Sequence, residues 1–390
     1  MAPFEFRTVH RLVCESGSAL RLPDILTPLL VERGLSTARL FVLVDPFIQA
    51  TTTFQAIIAA LQAKGHNVLV SSDVEPDPPE ALVLRVAEEA KTFQADLVLA
   101  IGGGSTLDVA KLIAVLAKGK QALQAMYGVG NVHSDRLPLV LLPTTSGTGS
   151  EVTPISIVTT GADTKMGVVS PVLYGDVAVL DADWTLSLPQ HVTAATGIDA
   201  MVHAIEAYTS KRLKNPYADF LACEALRLLA ANLHTVCQEP GNREARQAMM
   251  LGACMAGQAF ANSPVGGVHA LAYPIGGIFH VPHGLSNSLV LPHVLTFNKP
   301  AALQWYAELA VVVGLGSSNE PAAALADRFI DWTATLSPST GLPVKLRDVG
   351  IAEKDLDTMA QAAMLQTRLL SNNPREIDQA AARAIYAAAF

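Results

Sequence analysis

Charged residues are scarce in this chain of 390 residues. Only 16% are Asp, Glu, Lys or Arg, while 50% are hydrophobic. That balance excludes a disordered, self-repelling polymer and suits a well-buried globular protein. Positive charge is scarcer than negative, with a net charge of −8. No electrostatic footprint for nucleic acid follows from it, and no run of Lys or Arg suits an anionic membrane surface. Cysteine is limited to Cys14, Cys223, Cys237 and Cys254, scattered and without a CxxC pair. A disulfide framework is therefore not expected, and reduced thiols in the cytoplasm are. The N-terminal MAPFEFRTVHRLV has no signal-peptide core. The longest apolar stretches are interrupted before 18 positions, so no membrane span is expected. Internal repeats and low-complexity segments are also lacking. At this length, two domains with real cores are expected.

What is present in the first half is alternation. RLFVLVD (39–45) reads as a strand, 54–64 as a helix, 67–70 as a strand, 80–91 as a helix and ADLVLAI (95–101) as a strand. Residues 137–142 and 177–180 add further strands. Strands separated by helices of this length predict parallel βαβ units with both sheet faces covered.

Two glycine-rich turns follow these strands. The first, Gly102-Gly103-Gly104-Ser105-Thr106-Leu107-Asp108, leads into the helical VAKLIAVLAK. A strand, a glycine turn and a helix N-terminus can cradle a pyrophosphate, because free amides and the positive end of the helix dipole face the anion. The turn is not GxGxxG, and by itself it reads equally as a tight structural turn. The second, PTTSGTGSEVT (143–153), offers many small donors to a polar ligand, or else caps a helix. Asp45 closes its strand. It suits a ribose hydroxyl and repels a 2′-phosphate; the alternative is a turn Asp before Pro46.

Beyond Leu188-Pro189 the apolar period is helical, over 191–210, 216–235, 243–262, 322–336, 353–369 and 375–389. Within the first of these, Asp199 and His203 stand four apart, on one face of a helix. The apolar residues around them have the composition of a buried helix, where a carboxylate is costly unless paired or bound to a cation. His269 and His283 are fourteen apart, with Pro274, Gly276, Gly277, Pro282 and Gly284 around them. Those breakers imply a bent path able to bring both imidazoles to one point; the alternative is that His269, His280 and His283 are core or loop residues satisfied by backbone. One Asp and three His suit Fe²⁺ or Zn²⁺.

The texts GIDAMVHAIEAYTS and VHALAYPIGGIFHVPHGLSNSLVLPHVLTFN, with GGGSxxD and PTTxGTxxE before them, resemble the iron-containing (group III) alcohol dehydrogenases. That is the family of lactaldehyde reductase and 1,3-propanediol dehydrogenase, and the resemblance covers nearly the whole chain. It implies an α/β N-terminal domain with a parallel sheet and a Rossmann-like dinucleotide site, residues 1–187. An all-helical metal-binding domain, residues 188–390, follows, in the dehydroquinate synthase-like fold. It implies metal binding by Asp199, His203, His269 and His283. Cofactor binding is implied for Asp45, Gly103, Gly104, Ser105, Asp108, Thr144, Thr145, Thr148, Thr153 and Lys165. The cofactor is NAD, with NADP as the alternative; the metal is Fe²⁺, with Zn²⁺ as the alternative. Phe260 matches an aromatic of the substrate pocket.

Three departures stand out. Tyr273 occupies the position of the family's second histidine, thought to help relay protons. His280 stands where several relatives lack histidine; it is a candidate for the relay, or a solvated loop residue. Asp77 in PDP replaces the usual Asn, which puts a cofactor contact there in doubt. The expected activity is interconversion of a small alcohol and its aldehyde or ketone by hydride transfer, in a homodimer or larger homo-oligomer. The rivals are a dehydroquinate-synthase-like lyase, which would want basic residues near the metal, a metal-independent maleylacetate-reductase-like enzyme, and a non-catalytic NAD-binding protein.

Overall fold

The computed structural model describes residues 3–161 and 164–390. The chain forms two compact units. One, the α/β unit, comprises Arg7–Thr145 and Gly149–Thr185. The other, the helical unit, comprises Leu186–Phe390 together with Ser146–Thr148 and the N-terminal stretch ending at Phe6.

The α/β unit contains strands β1 (Arg11–Cys14), β2 (Arg39–Val44), β3 (Asn67–Ser71), β4 (Leu97–Gly102), β5 (Gly128–Val129), β6 (Leu139–Pro143), β7 (Ile155–Thr160), β8 (Thr164–Val169) and β9 (Val177–Leu180). Its helices are α1 (Leu22–Val31), α2 (Pro46–Gln49), α3 (Thr52–Ala63), α4 (Glu80–Thr92) and α5 (Gly104–Lys118). Six strands form one sheet in the order β1-β9-β6-β4-β2-β3, with every pair parallel. The near-continuous apolar run of β2 has a simple cause. Phe41 and Leu43 face one core with Val98, Ala100, Leu139 and Leu141. Leu40, Val42 and Val44 face the other with Leu99, Ile101 and Val140. Both faces are buried, so both alternating sets must be apolar.

Alternation did not reveal β1, α1 or the small second sheet, in which β7 pairs antiparallel with β8. β1 is mostly exposed along its length and β7 is only half-buried, which weakens the hydrophobic pattern that marks a strand.

The helical unit contains α6 (Gln190–Thr209), α7 (Pro216–Gln238), α8 (Arg243–Asn262), α9 (Gly267–Phe279), α10 (His283–Val312), α11 (Ala322–Thr340), α12 (Leu356–Ala363), α13 (Thr367–Leu370) and α14 (Gln379–Ala389). Fifteen of the twenty residues of α6 are buried. A helix buried nearly all round lies at the centre of its bundle. Its small residues let neighbours approach: a Cβ on Gly197 would stand 2.7 Å from Leu233 Cδ1 on α7 and 2.8 Å from Met249 Cε on α8. By length and composition α7 is apolar enough to cross a membrane, whereas the sequence reading expected no such segment; its buried side is Ala218, Ala222, Ala225 and Leu229.

Two sequence expectations need correction. Residues 353–369 are not one helix: α12 ends at Ala363 and the short α13 starts at Thr367. The turn between them carries Leu365, 78% exposed, which interrupts the apolar face. The stretch from His269 to His283, expected to be bent by its breakers, is mostly helix. Pro274 lies inside α9, and the chain turns only at His280, which caps the helix in the left-handed conformation with φ 55°.

The start of α10 lies against α6. A Cβ on Gly284 would stand 2.3 Å from the Ala195 carbonyl oxygen and 3.3 Å from Asp199 Cβ. Backbone cannot give way as a side-chain end can, so Gly284→Ala forces α10 off α6. The expected result is a loss of about 1–3 kcal/mol in urea unfolding; unchanged stability would show that the two backbones are not in contact.

Candidate metal centre and dinucleotide turns

Asp199 and His203 come from adjacent turns of α6, His269 from the first turn of α9, and His283 from the first residue of α10. One potential ligand atom from each lies within 4.8 Å of all the others. Asp199 Oδ1 is 3.6 Å from His283 Nε2 and 3.9 Å from His269 Nε2. Donors around a tetrahedral ion with bonds of about 2.0–2.2 Å sit about 3.4 Å apart, so a small contraction completes a first coordination shell. The rings pack closely: His203 stacks on His269 at 4.7 Å and on Phe260 at 4.3 Å, and His269 meets His283 at 5.3 Å. Tyr273 lies 6.0 Å from His283, ring centre to ring centre.

The donor set fits a divalent cation on chemical grounds. Burial, with help from the other two imidazoles, drives the His203 pKa down to about 3, against the pull of Asp199. A neutral imidazole is the form that binds metal. Burial pushes the Asp199 carboxyl up, but the three imidazoles and the Asn287 amide outweigh it and hold the group below its ordinary value. Asn287 Nδ2 donates to Asp199 Oδ1 at 2.6 Å and lies 3.3 Å from Nε2 of both His269 and His283. One buried atom here, Asn287 Oδ1, has no hydrogen-bond partner. A buried polar group without a partner in a native fold points to a ligand or ion.

Glu206 and Asn287 were not singled out from the sequence, although spacing marks both. Glu206 continues the Asp199–His203 stripe three residues on, and Asn287 follows His283 by four, on the same helical face. His280 is exposed, and no recorded contact joins it to the four donors.

In the α/β unit, the remaining candidates cluster at the carboxyl ends of three adjacent strands. Asp45 follows β2, Gly103 follows β4, and Thr144 and Thr145 follow β6. From β2 the chain goes first to β3 on one side and then to β4 on the other, so the strand order reverses between β2 and β4. Ligands of open parallel sheets bind in the crevice at such a reversal. Gly103 is the N-cap of α5, with Gly104 and Ser105 in its first turn, all partly exposed. Thr145 Cγ2 lies 3.9 Å from where a Gly103 Cβ would be, so the two turns are neighbours. Asp45 also caps α2, accepting from the Phe47 amide at 3.1 Å. Lys165 pairs with Asp77, which gives that unexpected carboxylate a protein partner.

Asp108 and Thr153 make hydrogen bonds to protein groups. Their common partner, Lys111, was not singled out from the sequence. It is fully buried and its Nζ donates to Asp108 Oδ1 (3.2 Å), Ser150 Oγ (2.7 Å), Thr153 Oγ1 (3.3 Å) and the Ile155 carbonyl (2.6 Å). Asp108 Oδ1 also accepts from Ser150 Oγ at 2.6 Å, and Oδ2 from the Ile157 amide at 2.9 Å. Burial presses the lysine pKa down, against Asp108 and Glu151. The ammonium thus staples the helix of the first glycine turn to the end of the second and the start of β7. Thr148 groups with the helical unit.

A parallel sheet with a strand reversal and an Asp-His₃ cluster on a helical bundle, buried except at His283, together suit a metal-dependent, dinucleotide-linked enzyme. The chain belongs to the iron-containing alcohol dehydrogenases. Residues 10–182 match the family model described as iron-containing alcohol dehydrogenase, and residues 193–390 match the model of the family's C-terminal part. The chain is 38% identical over 361 residues to long-chain-alcohol dehydrogenase 1 of Geobacillus thermodenitrificans, covering 92% of this chain and 91% of that protein. It superposes on a crystal structure of 1,3-propanediol oxidoreductase with a TM-score of 0.94, at 30% identity and complete coverage of both chains. It also superposes on sulfoacetaldehyde reductase from Bifidobacterium kashiwanohense in complex with NAD⁺, with a TM-score of 0.87, at 29% identity over 100% of this chain and 99% of that one. The protein is an alcohol dehydrogenase; neither the lyase nor the metal-independent reading is favoured.

Removing the buried ammonium leaves Asp108 and two hydroxyls without their shared donor. Lys111→Ala is expected to lower stability by about 3–5 kcal/mol in denaturant unfolding. KM for the dinucleotide should rise while the metal content of the folded fraction stays the same.

Proposed function

We propose that Asp199, His203, His269 and His283 hold the catalytic divalent metal, Fe²⁺ with Zn²⁺ as a substitute, and that the β2, β4 and β6 termini hold NAD. The observation that carries this reading is the convergence of four donors from three helices within 4.8 Å. The chemistry supplied when both groups are bound is Lewis-acid polarisation of the substrate oxygen and acceptance or donation of a hydride.

The chain's own residues set the conditions for it. Asp199 contributes the single negative charge among the four donors, which leaves a divalent ion and its donors net positive toward a developing oxyanion. Phe260, stacked on His203, and Tyr273, beside His283, form aromatic walls near the donors. They suit the carbon skeleton of a small uncharged alcohol or diol. Between the two relay candidates, geometry favours the Tyr273 hydroxyl over exposed His280. Gly103, Gly104, Ser105, Thr144 and Thr145 cradle the dinucleotide phosphates, Lys165 approaches a ribose, and Asp45 selects NAD over NADP by repelling a 2′-phosphate. Asp108 and Thr153 hold this cradle in shape through Lys111. The same proposal includes a homodimer or larger homo-oligomer in the cytoplasm; no disulfide joins the four cysteines.

Chelation tests the metal. Treated protein is expected to lose about a hundredfold or more of its NAD⁺-dependent oxidation of short alcohols and diols, with recovery on adding Fe²⁺ or Zn²⁺. Full activity in protein stripped of metal would end this reading. A separate variant tests the cofactor assignment: Asp45→Ala should narrow the preference for NAD⁺ over NADP⁺ by about tenfold or more, read as the ratio of kcat/KM values.

A further inference from the structure

We infer that Glu206 is a positioning residue for the metal centre, acting through His269; the inference rests on His269 being a metal ligand. The Glu206 side chain is 6% exposed and lies on the face of α6 that carries Asp199 and His203. Its Oε2 is 2.6 Å from His269 Nδ1 and its Oε1 accepts from the Val268 amide at 2.6 Å. The His269 amide points to Oε2 at 3.4 Å.

Two functions meet in this one carboxylate. α9 starts at Gly267, and its N-cap, Gly266, has no side chain to satisfy the first amides. Those amides are instead capped from distant parts of the unit. Glu206 takes Val268 and His269, and Asn373 Oδ1 takes Gly267 at 3.2 Å. Asn373 is itself fixed by a reciprocal amide pair with Asn298, at 2.8 and 2.7 Å. The positive end of α9 also favours a negative group there. The same carboxylate holds the proton of His269 on Nδ1. That leaves the Nε2 lone pair directed at Asp199 Oδ1 and His283, where the cation is proposed to bind.

A carboxylate offers two acceptors in this position and a carboxamide only one. In Glu206→Gln, either the ring Nδ1–H or the Val268 amide therefore faces an NH₂ group. The ring then loses its preferred tautomer or the helix loses its cap, and both move the His269 lone pair. Glu206→Asp keeps two acceptors on a shorter arm and is expected to recover part of what Gln loses.

The test is zinc affinity of the full-length metal-free protein, by competition with a chromophoric chelator. Expected for Glu206→Gln is a 10–100-fold weaker dissociation constant, about the loss that outer hydrogen-bond partners of metal ligands produce, with Glu206→Asp intermediate. Gln binding within about twofold of the unsubstituted protein overturns the inference. Asp199→Asn runs alongside. Its failure to weaken zinc binding would overturn the metal assignment itself, and a loss there without one in Glu206→Gln would overturn only the role of Glu206. Should the 206 variants not fold, the zinc-loaded unsubstituted protein still decides. A strongly downfield, exchange-protected ring N–H proton, assigned by its loss in His269→Gln, supports the role, and its absence overturns it.

Discussion

One carboxylate and two imidazoles, Asp199, His203 and His269, are enclosed among tightly packed helices with the more exposed His283 beside them, and that enclosure is the constraint the helical unit is built around. Asp199 is 2% exposed. A carboxylate taken out of water costs several kcal/mol unless other groups replace its hydration. Here the replacements are the Asn287 amide and the facing imidazole nitrogens, contributed by α9 and α10. The small residues of α6, the close approach of Gly284 and the distant caps on α9 all bring those groups within reach.

Under the proposed cofactor assignment the α/β unit meets a different demand, a surface that accepts an anion without a surplus of positive charge. Backbone amides at the start of α5 and small hydroxyls after β6 supply it, at the place where the strand order reverses. The one fully buried cation nearby, Lys111, is turned inward. It fixes the geometry of the turns from within, which is a form of preorganisation.

Much of this was legible in the residues. The parallel sheet was, because strands buried on both faces leave continuous apolar runs such as LFVLV. The Asp199–His203 pair was, because i and i+4 share a helical face. β1 and the β7–β8 hairpin were not, since partly exposed strands carry a weak pattern. Pro274, Pro292 and Pro300 hid α9 and α10. Each removes one backbone donor, yet a helix packed on its neighbours tolerates the loss. Asp108 and Thr153 look like ligand contacts in a motif. Only three-dimensional contacts reveal that a lysine three residues after Asp108 absorbs both. Glu206 hid in plain view, as an acid on a helix already assigned its acid.

Gly284 has a consequence for how this chain can drift. It has no side chain to offer a substrate or cofactor, so side-chain chemistry places no demand on it. Every codon change that alters the residue nevertheless adds at least one carbon where 2.3 Å separates that carbon from a carbonyl oxygen. Such a site has no small steps open to it. Its variants are filtered by fit, and the tolerance there is about the width of a hydrogen atom.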